Sequence, residues 1–73
     1  MRKLDLHGVK HSEAGNRVDT FIRQNINSLP IEIITGNSYD MTEIVKRVVS
    51  GYALRMNAKS ITNLGSYIIN NRL

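Results

Sequence analysis

The stretch Ile31-Glu32-Ile33-Ile34-Thr35 decides the fold, because it is the clearest strand in the sequence. Branched apolar residues fill it almost without interruption, and Pro30 and Gly36 mark its two ends. A short and nearly continuous apolar run between such markers is typical of an interior strand that is covered on at least one face. We therefore expect this stretch to form the centre of a sheet.

A helix is predicted upstream of this strand, over residues 12–29. Apolar residues recur there at steps of three and four, which places them in one stripe on a helix. The stripe consists of Ala14, Val18, Phe21, Ile22, Ile26 and Leu29. Gly15 lowers the helix propensity, and we expect it to allow a close approach of the helix to the sheet.

A second helix is predicted downstream, after the turn Gly36-Asn37-Ser38-Tyr39. Asp40 and Glu43 have the spacing of a capping box, with Asp40 as the N-cap and Glu43 reaching back to it. The apolar stripe of this helix consists of Met41, Ile44, Val45, Val48, Val49, Tyr52 and Met56.

Shorter strands are predicted toward both ends of the chain. The alternation in Leu4-Asp5-Leu6-His7 is typical of a strand that ends at Gly8. Residues 59–63 and 66–70 are candidates for an antiparallel hairpin around Leu64-Gly65. The order is then βαβαββ, an α/β two-layer sandwich in which two helices pack on one face of a four-stranded mixed sheet. With no repeat or low-complexity tract, residues 1–73 make a single domain.

Composition limits the classes of function that are open to this chain. It has no cysteine, which excludes disulfides, thiolate nucleophiles and cysteine-rich zinc sites. No apolar run approaches the roughly 18 residues of a membrane span, and we expect a soluble, cytoplasmic protein. The net charge of +4 favours an anionic partner such as nucleic acid without identifying one.

Two motifs should meet at one edge of the predicted sheet. Side-chain alternation puts Leu4 and Leu6 on the core face and Asp5 and His7 on the other. Parallel strands joined by a right-handed crossover have their carboxyl ends together. Asp5 and His7 should therefore emerge beside Gly36, where open α/β sheets bind ligands.

His7 is able to take or donate a proton at neutral pH, and Asp5 could orient it or hold its cation. The alternative is a strand-end histidine bonded to a nearby carbonyl, beside a solvated Asp5. Gly36 and the helix start after it suit a phosphate oxygen, although any strand-to-helix turn offers the same groups. Tyr39 could stack on a base or simply cover the helix end.

No metal or cofactor is predicted. His7, His11 and Asp5 lack a spacing that demands a metal ion, and His11 is expected to be a surface residue near a helix start. Ser38 is expected to be a turn residue, because no histidine or acid stands at a spacing that would make it a nucleophile.

The run Leu4-Asp5-Leu6-His7-Gly8, followed by Glu13-Ala14 at a helix start, resembles the signature opening of the Smr domain, the small MutS-related family. The second signature of that family, a Thr-Gly-x-Gly turn, corresponds to Thr35-Gly36-Asn37-Ser38, with Ser38 in place of the last glycine. Gly65-Ser66-Tyr67-Ile68-Ile69 is similar to its closing glycine and strand. The resemblance spans essentially the whole chain and implies the same βαβαββ order, which is also similar to the C-terminal domain of translation initiation factor three.

What the resemblance implies is nucleic-acid binding and, in a number of members, endonuclease activity that nicks DNA or cleaves messenger RNA at stalled ribosomes. Asp5 and His7 correspond to the acid-x-histidine pair linked to cleavage, and Thr35 and Gly36 to the nucleic-acid-binding turn. With their neighbours, the predicted nucleic-acid-binding residues are Gly8, Lys10, Thr35, Gly36, Asn37, Ser38 and Tyr39.

The expected partner is therefore DNA or RNA, alone or within a ribosome or a larger nucleic-acid-processing assembly. If the substrate is RNA, His7 would deprotonate the 2′-hydroxyl and a backbone nest at Gly36 would steady the phosphorane. Two other functions stay open, namely nucleic-acid binding without catalysis and a protein-interaction module that retains the fold.

Overall fold

A computed structural model describes residues 1–72 and shows the element order that the sequence predicts. The elements are β1 (Lys3–Asp5), α1 (His11–Asn25), β2 (Ile31–Ile34), α2 (Tyr39–Gly51), β3 (Arg55–Ser60) and β4 (Asn63–Asn70). This order confirms the predicted βαβαββ arrangement. Within residues 1–72, neither helix is long and apolar enough to cross a membrane.

The strands form one mixed sheet in the order β1-β2-β4-β3. β2 is parallel to β1, with Ile33 opposite Leu4, and antiparallel to β4, with Ile33 opposite Tyr67. β4 also pairs with β3 in an antiparallel hairpin, where Met56 lies opposite Ile69. The strand predicted to be central thus has a partner on each side.

Both helices pack on the same face of the sheet around one core. The sheet contributes Ile31, Ile33 and Ile69, which are fully buried. The helices contribute Ala14, Val18 and Ile22 from α1 and Met41, Val45 and Val49 from α2. Burying one large aliphatic side chain stabilises a fold by roughly 1.5–3 kcal/mol. This shared core therefore holds the two layers of the sandwich together.

Helix α1 ends at Asn25, earlier than the predicted Leu29. The Asn25 side chain is buried, and its Nδ2 donates to the Phe21 carbonyl oxygen at 2.8 Å. The chain then turns, with the Ser28 N–H donating to the Asn25 carbonyl, and the residue before Pro30 is restricted to extended conformations. Leu29 therefore packs on the core from outside the helix.

Gly15 faces the second helix, so the prediction that it allows a close approach to the sheet is wrong. A Cβ atom on Gly15 would lie 3.9 Å from Cγ2 of Ile44 on α2, an ordinary van der Waals distance. The packing therefore contains no steric requirement for glycine at this position.

Helix α2 differs from its prediction at both ends. Its N-cap is Ser38, whose Oγ accepts the Met41 N–H at 3.1 Å, and Asp40 lies in the first turn instead of at the cap. An acidic side chain in that turn still interacts favourably with the helix dipole. Beyond the helix, Ala53 adopts a φ of 55° and reverses the chain. Met56 therefore belongs to β3, and the predicted extension of the helical stripe to Met56 is wrong.

The hairpin turn lies at residues 61–62, so the prediction of a turn at Leu64-Gly65 is wrong. Gly65 is a buried residue inside β4. A Cβ atom on Gly65 would lie 3.1 Å from both the backbone N and the Oδ1 of Asn37. Glycine inside a strand often marks the close approach of another backbone, and here that backbone is the turn after β2.

Glu32 is a buried carboxylate on the face of the sheet opposite the helices. The Ser66 hydroxyl and the Lys59 ammonium, 3.3 Å away, both donate to its Oε2. The hydrogen bond from Ser66, aided by the bond and charge of Lys59 and the charge of Lys3, holds the pKa of Glu32 below its usual value against the effect of burial. One carboxylate therefore links β2 to β3 and β4.

A polar contact joins α1 to the end of α2. The Tyr52 hydroxyl donates to Oδ1 of Asp19 at 2.6 Å, and Nε of Arg23 lies 3.1 Å from Oδ2 of the same carboxylate. The hydrogen bond to Asp19 raises the pKa of Tyr52 above its usual value. The phenol therefore stays protonated, and the contact persists, through neutral and mildly alkaline pH.

Gly15→Ala should raise the free energy of unfolding by roughly 0.5–1 kcal/mol, because glycine inside a helix is less favourable than alanine by about that amount. The added methyl group would meet Ile44 only at contact distance. Urea denaturation of the two proteins measures the difference. A loss of stability would mean that the helices approach more closely at Gly15 than the structure shows.

Glu32→Gln should lower the free energy of unfolding at neutral pH by about 1–2 kcal/mol, because it removes a charged acceptor from a buried position. The pKa of Glu32 in the folded protein lies below the usual 4.5. The stability that the Glu32 charge contributes is therefore fully present above the unfolded-state pKa. It is lost as the pH falls through the folded-state pKa. Urea denaturation at several pH values should show the difference between the two proteins shrinking in acid.

The matched control for this variant is Glu13→Gln, which breaks a surface pair with Arg17 at 3.9 Å. Exposed pairs of this kind contribute at most about 1 kcal/mol, so the control should behave much like the wild type. A stability difference between wild type and Glu32→Gln that stays constant with pH would contradict the role given to the Glu32 charge.

Candidate functional site

The first turn of the candidate site follows β1. The Leu6 N–H donates to the Ile34 carbonyl at 2.9 Å, so the pairing with β2 continues one residue past β1. The Val9 N–H donates back to the Leu6 carbonyl at 3.0 Å, and Gly8 has a φ of 80° inside this turn. Glycine adopts such a φ without strain. The turn leaves His7 exposed.

Asp5 holds the backbone of this turn, not the imidazole of His7. Its Oδ1 accepts a hydrogen bond from the His7 backbone N–H at 2.9 Å. Both side chains are exposed while Leu6 is buried, as the alternation predicts. Within residues 1–72 the imidazole makes no hydrogen bond. Asp5 therefore fixes the backbone at His7 and makes no hydrogen bond to its imidazole.

The second turn follows β2 and bends at two residues of positive φ. Gly36 has a φ of 68° and Asn37 a φ of 66°, and the Ser38 N–H donates to the Thr35 carbonyl at 3.4 Å. The Gly65 carbonyl in β4 accepts both the Thr35 N–H, at 2.8 Å, and the Gly36 N–H, at 3.1 Å. The Gly36 N–H is thus already bonded, which removes the central donor of the predicted backbone nest.

Thr35 lies beneath this turn with its side chain buried. Its Oγ1 lies 3.3 Å from Oγ1 of Thr42 on α2, and the Thr42 hydroxyl is 2.8 Å from the Ser38 carbonyl. Thr35 and Ser38 are therefore placed to hold the turn in position. The exposed members of the predicted binding set are Gly8, Lys10, Gly36, Asn37 and Tyr39.

The parallel pairing of β1 and β2 brings the two turns together. Asp5 lies opposite Ile34 in the sheet, and each turn begins just beyond these residues. A Cβ atom on Gly36 would lie 3.6 Å from Cδ2 of His7. The edge that was predicted to carry both motifs does carry them, with the His7 imidazole on the side of Gly36 where a side chain would lie.

The start of α2 offers two open backbone donors next to the second turn. Ser38 satisfies the Met41 N–H through its hydroxyl and the Thr42 N–H through its carbonyl. Among the described residues, the N–H groups of Tyr39 and Asp40 have no acceptor, as is usual in the first turn of a helix. These groups favour an anion, and the Asp40 carboxylate in the same turn opposes one.

His11 is exposed at the first residue of α1. Over residues 1–72, no three side chains of His, Asp or Glu lie close enough together to hold a metal ion. His7, His11 and Asp5 therefore do not form a three-ligand cluster in this conformation.

Gly65 is the residue of this site that sequence reasoning missed. It shapes the second turn in two ways, by its carbonyl oxygen and by its lack of a side chain. The available signal was the position of this glycine in the resemblance to the Smr family. The local pattern instead favoured a hairpin turn there, because glycine is common in such turns.

Gly65→Ala should displace the turn at Gly36–Asn37 and lower the free energy of unfolding by about 1–3 kcal/mol, the usual cost of an overpacked contact. NMR chemical shifts of residues 35–39 and urea denaturation test this expectation. The control is Gly51→Ala, because a Cβ atom there has no neighbour within 4 Å. Unchanged shifts together with unchanged stability in Gly65→Ala would contradict the close contact.

Comparison of this chain with protein-family models, with curated proteins and with solved structures found no match. The resemblance to the Smr family therefore rests on the motifs at residues 4–8, 13–14, 35–38 and 65–69.

Proposed function

We propose that this chain is a nucleic-acid-binding domain of the Smr type, in which His7 acts as the acid-base group of phosphodiester cleavage. The observation that carries the proposal is the exposed His7 imidazole on the side of Gly36 where a side chain would lie, at the edge where β1 and β2 end together. A general base must first be within reach of its substrate. The exposed His7 imidazole is accessible to a ligand at the edge where the two turns meet.

The arrangement of the motifs supports this proposal. Asp5 and His7 lie beside the Thr35-Gly36 turn, although the whole of α1 separates this pair from that turn in sequence. Ser38, which stands where the family has a glycine, caps α2. The departure from the family pattern is therefore compatible with a well-formed turn.

The charges and donors around both turns support a polyanionic ligand. The chain has a net charge of +4, and Lys10 is exposed next to the first turn. At the second turn, the N–H groups of Tyr39 and Asp40 are open and the Tyr39 ring is exposed. Cations neutralise phosphates and aromatic rings stack on bases, so a nucleic acid would use both kinds of group.

An RNA substrate would supply its own nucleophile. Neutral His7 would take the proton of a 2′-hydroxyl, the 2′-oxygen would attack the adjacent phosphorus, and the bond from phosphorus to the 5′-oxygen would break. The imidazolium or water would then protonate the leaving oxygen, which leaves a 2′,3′-cyclic phosphate and a 5′-hydroxyl. The Gly36 N–H already donates to the Gly65 carbonyl. The phosphate charge would therefore be stabilised by the Lys10 ammonium and by the open amides of α2.

A second candidate function is binding without cleavage, to a nucleic acid or to another protein. The Asp5 carboxylate accepts the backbone N–H of His7 and so does not orient the imidazole. A carboxylate that assists a catalytic histidine usually bonds to its ring. This contact favours a module that retains the fold of a nuclease and only binds.

The test is to incubate the protein with structured RNA, single-stranded DNA and supercoiled plasmid, with and without a chelator. RNA cleavage should persist in the chelator and leave 5′-hydroxyl ends. His7→Ala should reduce the rate by about 10²–10⁴-fold, the usual contribution of a general acid or base, with an unchanged circular dichroism spectrum. His11→Ala is the matched control and should cleave like the wild type.

Other results separate the alternatives. Cleavage that requires a divalent ion or leaves a 5′-phosphate would replace the 2′-hydroxyl mechanism with an activated water. Binding without cleavage of any substrate would establish the non-catalytic function. No binding at low salt, where phosphate contacts are strongest, would overturn the assignment of nucleic acid as the ligand.

A further inference from the structure

Two grooves lie along the flank of α2, beside the β3–β4 hairpin, and the site described above uses neither as a whole. The first groove, of about 430 Å³, is lined in part by Tyr39, Leu64 and Tyr67. The second, of about 400 Å³, lies further along α2 and is lined in part by Arg55. Lys46 lines both grooves, so they adjoin on one surface.

The first groove has aromatic and apolar walls that the described chain leaves uncovered. Tyr39 is 76% exposed and Leu64 is 57% exposed. Tyr67 lines the same groove and is partly exposed. The groove also contains the carboxylate of Glu43, whose Oε2 lies 4.0 Å from Nζ of Lys46. The Lys46 ammonium offsets the charge of this carboxylate. Exposed aromatic rings of this kind stack on nucleobases, since every base has a π-face.

The second groove is cationic. Lys46, Arg55 and Arg72 line it together with apolar side chains of α2 and β3, and no acidic side chain does. Among the ion pairs within residues 1–72, none includes Arg55 or Arg72. Clustered cations on an apolar surface attract anions, and the planar guanidinium group matches a phosphate in shape. The charge of this groove therefore suits an anionic ligand.

The grooves follow one another in the direction away from His7. The first contains Ser38, from the turn in which Gly36 lies beside His7. Lys46 lies about two helical turns beyond Ser38, and Ser50 in the second groove lies about one turn further. The thirteen residues of α2 extend over roughly 20 Å, which is enough for a strand of a few nucleotides.

We propose that these two grooves form a binding track for single-stranded nucleic acid that begins beside His7. An unpaired base stacks in the first groove on Tyr39, and the phosphates that follow it lie on Lys46, Arg55 and Arg72. The inference rests on the proposed function and adds to it the class of ligand. A duplex is a poor ligand for this track, because its base faces are covered by stacking.

Fluorescence anisotropy tests the track with labelled strands of one sequence, as single-stranded RNA, single-stranded DNA and duplex RNA. Both single strands should bind the full chain at least tenfold more tightly than the duplex. Tyr39→Ala should weaken single-strand binding by about tenfold, whereas Tyr39→Phe should bind like the wild type. If single-stranded RNA binds more tightly than single-stranded DNA, the ribose is among the groups that the track recognises. If the two strands bind equally, the track recognises only base and phosphate.

An abasic strand isolates the stacking contribution. The wild type should bind it more weakly than the intact strand, and Tyr39→Ala should bind it as the wild type does, because the ring then has no base to stack on. A tenfold loss that persists on the abasic strand would overturn the assignment of Tyr39 as a base-stacking residue.

Salt dependence isolates the phosphate contacts. The double variant Arg55→Gln/Arg72→Gln should reduce the slope of log affinity against log salt by about 1.4, since each phosphate contact on a single strand contributes about 0.7. The matched control, Arg17→Gln/Arg23→Gln, removes the same charge from exposed positions on α1. Its slope should stay closer to that of the wild type.

The failure of the track and the failure of the proposed function give different results. If the wild type binds single strands but the Tyr39→Ala and arginine variants lose no more affinity than the α1 control, the track is wrong and nucleic-acid binding stands. Binding of the duplex as tightly as the single strands also overturns the track. If the wild type binds no strand at low salt, both proposals fall.

Discussion

The structure depends on the position of β2 at the centre of a four-stranded sheet, with one face buried under both helices. Ile31 and Ile33 are fully buried on that face, and Glu32 is buried on the other. Parallel pairing with β1 on one side brings the first turn to the second. Antiparallel pairing with β4 on the other side brings Gly65 beneath the second turn. The two contacts that define the candidate site both follow from the neighbours of this one strand.

Most of the fold could be predicted because it follows from patterns among residues that are close together in the sequence. Apolar periodicity identified both helices, and a nearly continuous apolar run between Pro30 and Gly36 identified the central strand. The handedness of the crossover placed β1 beside β2. The errors occur where a tertiary contact outweighs the local pattern. Met56 continues the period of α2 but lies in β3, after the reversal at Ala53. Gly65 resembles a turn residue, yet it lies inside β4, where a side chain would crowd Asn37.

The candidate site could be predicted in outline and not in its hydrogen bonding. Placing His7 next to Gly36 required only the order of the elements and a parallel pair of strands. Which acceptor takes each backbone N–H depends on residues that are distant in sequence, such as Gly65 for Gly36. The clustering of cations in the second groove could not be predicted either. Lys46, Arg55 and Arg72 lie on different segments and form no run in the sequence.

The topology also constrains how the chain reaches this structure during synthesis. β4 is the last of the six elements in sequence, yet it lies inside the sheet between β2 and β3. Until residues 63–70 leave the ribosome, β2 presents an unpaired and largely apolar edge to which another chain could add a strand. Pairing between segments this distant also slows folding. Once β4 pairs with β2, it covers this edge against aggregation and at the same time completes the turn that faces His7.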